Sequence, residues 1–415
     1  MKRMKQRIIV SSILALFSVA CSQSSKKSDK QATIASKEMT TYKPGSFGYD
    51  IAFLSKRDSV IVLKDVHGDA QVVVSPKYQA KVFTSTADGE RGRSFGWINY
   101  AAFDKKDEHM NAYGGEDRLW LGPEGGKFSL FFEPKSTMEF ANWHTPSAVD
   151  TEPWEVSASN DREVTLHKQT AITNYAGTEL QIQLSRNIEI LEKKDIEQVL
   201  GLSWSESIKT VGFRTTNKIL NQGDKAWDKQ SGAPCLWSLD MFTPTPKTVI
   251  IIPFEKEVKG KIATTDYFGE ISKDRLIAKD SVLLFKADGK SRGKLGIPPQ
   301  RVKPIAGSYA ADTKVLTITY FDIHPKATYL NQEWTPDKDP FTGDAMNAYN
   351  DGPLADGSQM GPFYEIESVS PAAFLKPKEE LTHHHYVFHF TGEEEDLDTI
   401  AQKVLGISLK EAKIE

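Results

Sequence analysis

The sequence predicts an all-β protein, one large twisted β-sandwich with a short C-terminal helix. Three observations carry this expectation. Runs of β-branched and aromatic residues recur along most of the chain, separated by Gly, Asn, Asp and Pro. No strand–helix–strand alternation interrupts them, so a doubly wound parallel sheet is not expected. At 415 residues the chain is long enough to bury a large core, and among its later segments only the C-terminal end has helical spacing.

Taken in order, residues 1–20 read as an export leader. Lys2, Arg3, Lys5 and Arg7 precede an apolar stretch, 8–20, too short to span a bilayer as a mature helix. Cys21 follows Ser18, Val19 and Ala20, an order similar to a bacterial lipoprotein signal in which Cys21 is lipidated, with Ser18 where Leu is usual. An ordinary cleaved signal is the alternative. Both predict export, and the first predicts a lipid anchor in the cell envelope, on the periplasmic or outer-membrane face. Residues 21–44 are rich in Ser, Lys and Thr and read as a flexible tether. The β body is expected over 45–390 and a helical tail over 391–415.

The chain has formal net charge −4 and no basic stripe, which argues against a nucleic-acid partner. Besides Cys21 the only cysteine is Cys235, so with a lipidated Cys21 no intrachain disulfide can form and the core must carry the fold.

Strand-like runs fall at 59–64 (SVIVLK), 70–75 (AQVVVS), 78–86, 127–132, 163–167, 180–190, 248–253, 281–286, 315–321 and 386–390. The stretch 364–369 (YEIESV) alternates, so Glu365 and Glu367 share one face about 7 Å apart. Two desolvated carboxylates at that spacing do not both ionise easily, the arrangement a proton-exchanging site needs. Pro371 ends this strand. In the next one His383, His385, Val387 and His389 share a face, opposite His384, Tyr386, Phe388 and Phe390. His383 and His385 could ligate an ion with a carboxylate, but neither Cys nor an HExxH motif accompanies them, and no metal is assigned. Leu397, Ile400, Ala401, Val404 and Leu405 lie at helical spacing before Gly406 and predict a packing helix over 396–404.

Loops between the strands carry Trp beside acids and amides: Arg93, Trp97 and Asn99; Glu116, Asp117, Arg118, Trp120 and Glu124; Asn142, Trp143 and His144. A further loop, 329–351, carries Asn331, Glu333, Trp334, Asp344, Asn347, Tyr349, Asn350 and Asp351. Sugars need this pairing, because their C–H faces pack on aromatic rings while their hydroxyls bond acids, amides and Arg. These loops are expected to converge on one cleft. The chain has no P-loop, no GxGxxG after a strand and no GxSxG, so no cofactor is expected.

The order Glu367, Pro371, then Leu375-Lys376-Pro377-Lys378-Glu379 and a closing aromatic strand resembles the C-terminal end of galactose mutarotase-like (aldose 1-epimerase-like) proteins, with Lys378 where Gly is usual. The segments 329–354 and 361–377 look more closely like an uncharacterised family of bacterial lipoproteins in that superfamily, over most of the mature chain. The resemblance implies a galactose mutarotase-like supersandwich and a carbohydrate ligand, with Glu367 as a base that takes the anomeric hydroxyl proton. The mutarotase acid is a His in Asn-His-x-Tyr-Phe-Asn. The nearest stretch here, Thr216-Asn217-Lys218-Ile219-Leu220-Asn221, puts Lys218 in its place, and His144 is the other candidate acid. Two classes stay open: a carbohydrate-active enzyme, and a non-catalytic glycan-binding or scaffold lipoprotein.

Overall fold

A computed structural model describes residues 42–414. Cys21, the leader and most of the tether lie outside the described residues. Among the described residues, eighteen strands form three antiparallel sheets. A small sheet is β1 (Ile61–Lys64), β2 (Gln71–Ser75) and β3 (Lys81–Thr86). A five-stranded sheet has the order β13 (Gly293–Ile297), β16 (Met346–Asn350), β17 (Tyr364–Val369), β9 (Cys235–Phe242), β4 (Arg118–Gly122).

The ten-stranded sheet runs β11 (Leu276–Lys279), β12 (Val282–Lys286), β10 (Thr248–Pro253), β14 (Ile305–Ala310), β15 (Val315–Phe321), β18 (Glu380–Thr391), β8 (Lys209–Asn221), β7 (Glu179–Ile190), β6 (Glu163–Thr173), β5 (Glu155–Ser159).

Alternation decides how these sheets pack. On the five-stranded sheet Leu119, Leu121, Leu236, Leu295, Ala348 and Ile366 share a buried cluster with Ile182, Ile188, Phe213, Ile219 and Val387 of the large sheet. The other face of the large sheet, with Val249, Ile251, Leu316, Ile318, Phe388 and Phe390, is covered by helices. One is α3 (Glu394–Leu405), which buries Leu397, Ile400, Ala401 and Leu405 and ends at left-handed Gly406 (φ 74°), as the spacing implied.

Two helices were not expected from the sequence: α1 (Phe47–Leu54) and α2 (Lys193–Leu200). For α2 the signal was present. Glu192 and Asp195 form a capping box and Gly201 closes the helix at φ 68°. Residues 127–132 are not a strand. The Ser129 hydroxyl bonds the Glu124 carbonyl, and Ser129 N–H donates to Gly126 O at 3.0 Å, so the backbone turns there. The 78–86 run starts as a strand only at Lys81, because Gln79 and Ala80 sit at positive φ.

Candidate functional site

The five-stranded sheet has one face against the large sheet and one face left for a cleft. Register brings the second face together row by row. Asn347 lies opposite Glu367, which lies opposite Leu239, which lies opposite Arg118. In the next row Lys294, Tyr349, Glu365 and Met241 line up, and Trp120 pairs with Trp237. Directly opposed residues of an antiparallel pair point the same way, so five strands deliver one composite surface.

Above this surface opens a cleft of about 670 Å³ walled by Glu124, Phe140, Tyr267, Phe268, Arg292, Glu333, Trp334, Tyr349 and Asp351. A recess of about 130 Å³ adjoins it and is lined by Arg118, Trp120, Trp143, Trp237, Lys294 and Glu365, among others. The aromatic rings form a continuous lining. Trp143 stacks on Phe131 (centroids 5.6 Å) and on Trp334 (5.9 Å), and Trp120 meets Trp237 edge-on at 5.7 Å. Phe140, Phe268, Leu354 and Met360 stand exposed at its mouth.

Charged groups are threaded through these rings. Arg118 pairs with Glu365 Oε1. Glu367 Oε2 accepts from Trp237 Nε1 at 2.9 Å and Lys294 Nζ at 3.0 Å, while its Oε1 is buried with no hydrogen-bond partner among the described residues. Trp334 Nε1 donates to Glu124 Oε1 at 3.1 Å. Burial pushes the Glu124 carboxyl up from its ordinary value. It pushes Glu365 to about 8, against the pull of Arg118 and with help from the Glu367 charge. Burial opposes the Lys294 charge too, but Glu367, Glu124 and Glu365 together outweigh it and raise the lysine pKa.

Stability should therefore fall with pH around this site. The folded state holds a proton on Glu365 that the unfolded chain releases above 4.5, so the unfolding free energy declines as pH rises from there to about 8 and is flat beyond. Urea unfolding across that window should give a shallower decline for Glu365→Gln than for the natural chain. Equal slopes would show that Glu365 carries no shifted proton.

Of the residues expected on one cleft, the structure brings Arg118, Trp120, Trp143, Glu333, Trp334, Asp351 and Glu365 to the cleft or its recess. The two strand carboxylates differ in exposure. Glu365 faces the recess, whereas Glu367 has no exposed surface and lies behind Lys294 and Trp237. Asn331 and Asp344 line a side cleft of about 370 Å³, where Tyr267 OH donates to Asp344 at 2.7 Å.

Other expected residues are elsewhere. Arg93 and Trp97 line a second cleft, and Asn99 heads a short 3₁₀ turn. Glu116 is buried between Ser85 (2.6 Å) and His389 (3.0 Å), and Asp117 is buried against Arg186. Asn350 is spent on the backbone of Gly289 and Ser291. His144 is exposed, with its ring against His109 and Nδ1 2.9 Å from the Glu108 carbonyl. Lys218 points out of the large sheet to Glu380 at 3.0 Å. Neither candidate acid is among the residues lining the cleft. His383 and His385 both bond the Ser368 hydroxyl (2.9 and 2.8 Å), and His385 Nε2 lies 2.8 Å from Asp240, inside the sandwich.

Sequence reasoning missed Lys294, Trp237, Tyr267, Phe268 and Arg292. Lys294 sits in GKLGI, a run interrupted by Gly that does not read as a strand, and Trp237 sits in the plain apolar run CLWSLDMF.

Among solved structures, the Slr1438 protein from Synechocystis sp. PCC 6803 is similar at TM-score 0.50 and 15% identity, over 81% of this chain and 97% of that one. A galactose mutarotase-like protein from Lactobacillus casei ATCC 334 is similar at TM-score 0.45 and 9% identity, over 80% of this chain and 100% of its own. A galactose mutarotase related enzyme from Lactobacillus acidophilus is similar at TM-score 0.45 and 9% identity, over 80% and 97%. A search of curated protein sequences finds no match. The chain belongs to the Family of unknown function (DUF6786), whose model matches residues 45–415.

Proposed function

We propose that the protein binds a carbohydrate in the cleft on the five-stranded sheet and interconverts its anomers through Glu365 and Glu367. The observation that carries this reading is the orphaned, fully buried Oε1 of Glu367 beneath an aromatic-lined cleft. A buried carboxylate oxygen without a partner is costly and calls for a role. A sugar hydroxyl reaching between Lys294 and Trp237 would supply the missing donor.

In this mechanism the Glu367 carboxylate takes the anomeric hydroxyl proton. Glu365, protonated near neutral pH, gives its proton to the ring oxygen. The C1–O5 bond breaks, the open aldehyde rotates about C1–C2, and the ring closes on the other face as both protons return. Glu365 thus takes the acid role that neither His144 nor Lys218 is placed to fill. The test is a screen of aldoses and uronic-acid oligosaccharides by NMR, reading binding from line broadening and catalysis from anomeric exchange. Failure of every sugar to bind would remove the reading.

One observation favours a non-catalytic glycan-binding protein instead: Glu367 has no exposed surface. Sugar binding without accelerated exchange is the outcome that selects it.

The proposal places the protein in the cell envelope, held by lipid on Cys21. Among the described residues no helix is long and apolar enough to cross a membrane. The basic, apolar, Ser-Val-Ala-Cys order supports this anchoring. Cys21→Ala should release the protein from the membrane fraction or block its processing, and unchanged retention would sink the anchor.

A further inference from the structure

A second cleft, of about 650 Å³, opens at the edge of the sandwich. Its lining includes Lys43, Arg91 and Arg93, the aromatic rings of Phe95, Trp97 and Tyr100, and the acid Asp50. Trp97 is the wall between the two clefts, since it packs on Phe363 and shares a buried cluster with Met241 and Tyr349, which line the first recess.

Three features make this second cleft a built cationic site. The chain that carries the arginines is pinned in place. Phe47 N–H donates to Gly92 O at 3.0 Å, Gly48 N–H to Glu90 O at 2.7 Å, and Ser94 N–H to Gly45 O at 3.0 Å. Gly92 lets this segment press close, because a Cβ there would meet Thr86 Oγ1 at 2.4 Å. The cations themselves are unspent. Among the described residues Lys43, Arg91 and Arg93 have no ion-pair partner and donate no side-chain hydrogen bond.

Nearby acids, in contrast, are engaged. Asp50 accepts from Ser94 and Tyr100, Glu90 accepts from Tyr42, and Asp88 pairs with Lys209. The cleft lining thus sets Lys43, Arg91 and Arg93 against a single acid, Asp50, around an apolar wall. Two guanidinium forks two residues apart suit the several oxygens of a phosphate, which they can bond in bidentate fashion.

We propose that this cleft binds the phosphate group of a small phosphorylated molecule through Arg91 and Arg93, with Lys43 adding a third positive charge. The apolar rings of Phe95 and Trp97 leave room for the organic part of the ligand, and the volume suits one of drug-like size, ~300–1,000 Å³. The source of the phosphate is either a soluble ester or a lipid headgroup.

The test uses the full chain with three probes: inorganic phosphate, glucose 6-phosphate, and vesicles of phosphatidylglycerol set against phosphatidylcholine. Calorimetry and vesicle sedimentation should detect phosphate-dependent binding that weakens as salt is raised. An Arg91→Gln/Arg93→Gln double variant should bind roughly tenfold to a hundredfold more weakly. Lys403→Gln/Lys410→Gln, which removes the same charge elsewhere, should not. Both arginines are exposed, so the double variant should fold, and circular dichroism checks this. Binding of glucose 6-phosphate assigns a soluble ligand, and binding of phosphatidylglycerol vesicles alone assigns a headgroup. No binding of any phosphate probe, or equal losses in the two double variants, overturns the proposal.

Discussion

If the protein acts as the proposed anomer-interconverting enzyme, Glu367→Gln is expected to slow that reaction by roughly a hundredfold or more. The amide keeps the shape of the carboxyl and can still accept from Trp237 Nε1, whose bond to Oε2 is 2.9 Å in the natural chain. It cannot take a proton, and it removes the negative charge 3.0 Å from Lys294 Nζ. Glu124 remains to support the lysine charge, since it also raises the lysine pKa. The site should therefore stay assembled, and sugar affinity should fall much less than the rate, because an amide still contacts a hydroxyl. Anomeric exchange by NMR, beside a binding titration with the same sugar, separates the two quantities. An unchanged rate would take Glu367 out of the chemistry, and a rate and affinity that fall by the same factor would make it a binding group only.

Arg186→Met should cost about 3–5 kcal/mol of folding stability, without touching the cleft lining. Arg186 and Asp117 are both fully buried, with Nη2 3.1 Å from Oδ2, and the same nitrogen donates to the Asp117 carbonyl at 3.1 Å. Neither Asp117 carboxylate oxygen accepts a hydrogen bond from the described residues, so the guanidinium acts on it through charge alone. Removing the guanidinium thus leaves a charge deep in the sandwich with nothing to offset its desolvation. Replacing both partners with apolar residues, Arg186→Met with Asp117→Leu, should recover most of the loss, because no charge then remains buried. Urea unfolding of the single and double variants checks this. A single variant within about 1 kcal/mol of the natural chain would mean that the pair bears no such charge.

Asp117 shows where reading the chain residue by residue stops. Glu116, Asp117 and Arg118 looked alike in the sequence, three polar groups ahead of a Trp. In the fold they go to three places: Glu116 to His389, Asp117 to Arg186, and Arg118 to Glu365 at the recess. Gly114 and Gly115, at φ 86° and 132°, turn the chain just before this point, and no composition argument says which way each side chain then faces. The same holds for His383 and His385. Their shared face was legible, but that face turned out to be the interior, where Ser368 and Asp240 take up their ring nitrogens.

What the sequence determined by itself is what depends on neighbours along the chain. Period-two alternation placed β17 over Tyr364–Val369 and set Glu365 and Glu367 on one face, because side-chain direction in a strand follows from position alone. Helical spacing and Gly406 similarly placed α3. Only the tertiary structure decided which strand neighbours which. That choice brought Lys294 of β13 and Trp237 of β9 to Glu367, from 73 and 130 positions away along the chain. It also put Glu365 rather than Glu367 at the cleft surface. Register between distant strands is fixed by how two buried faces fit together, and that fit is a property of the packed sandwich that no local run of residues contains.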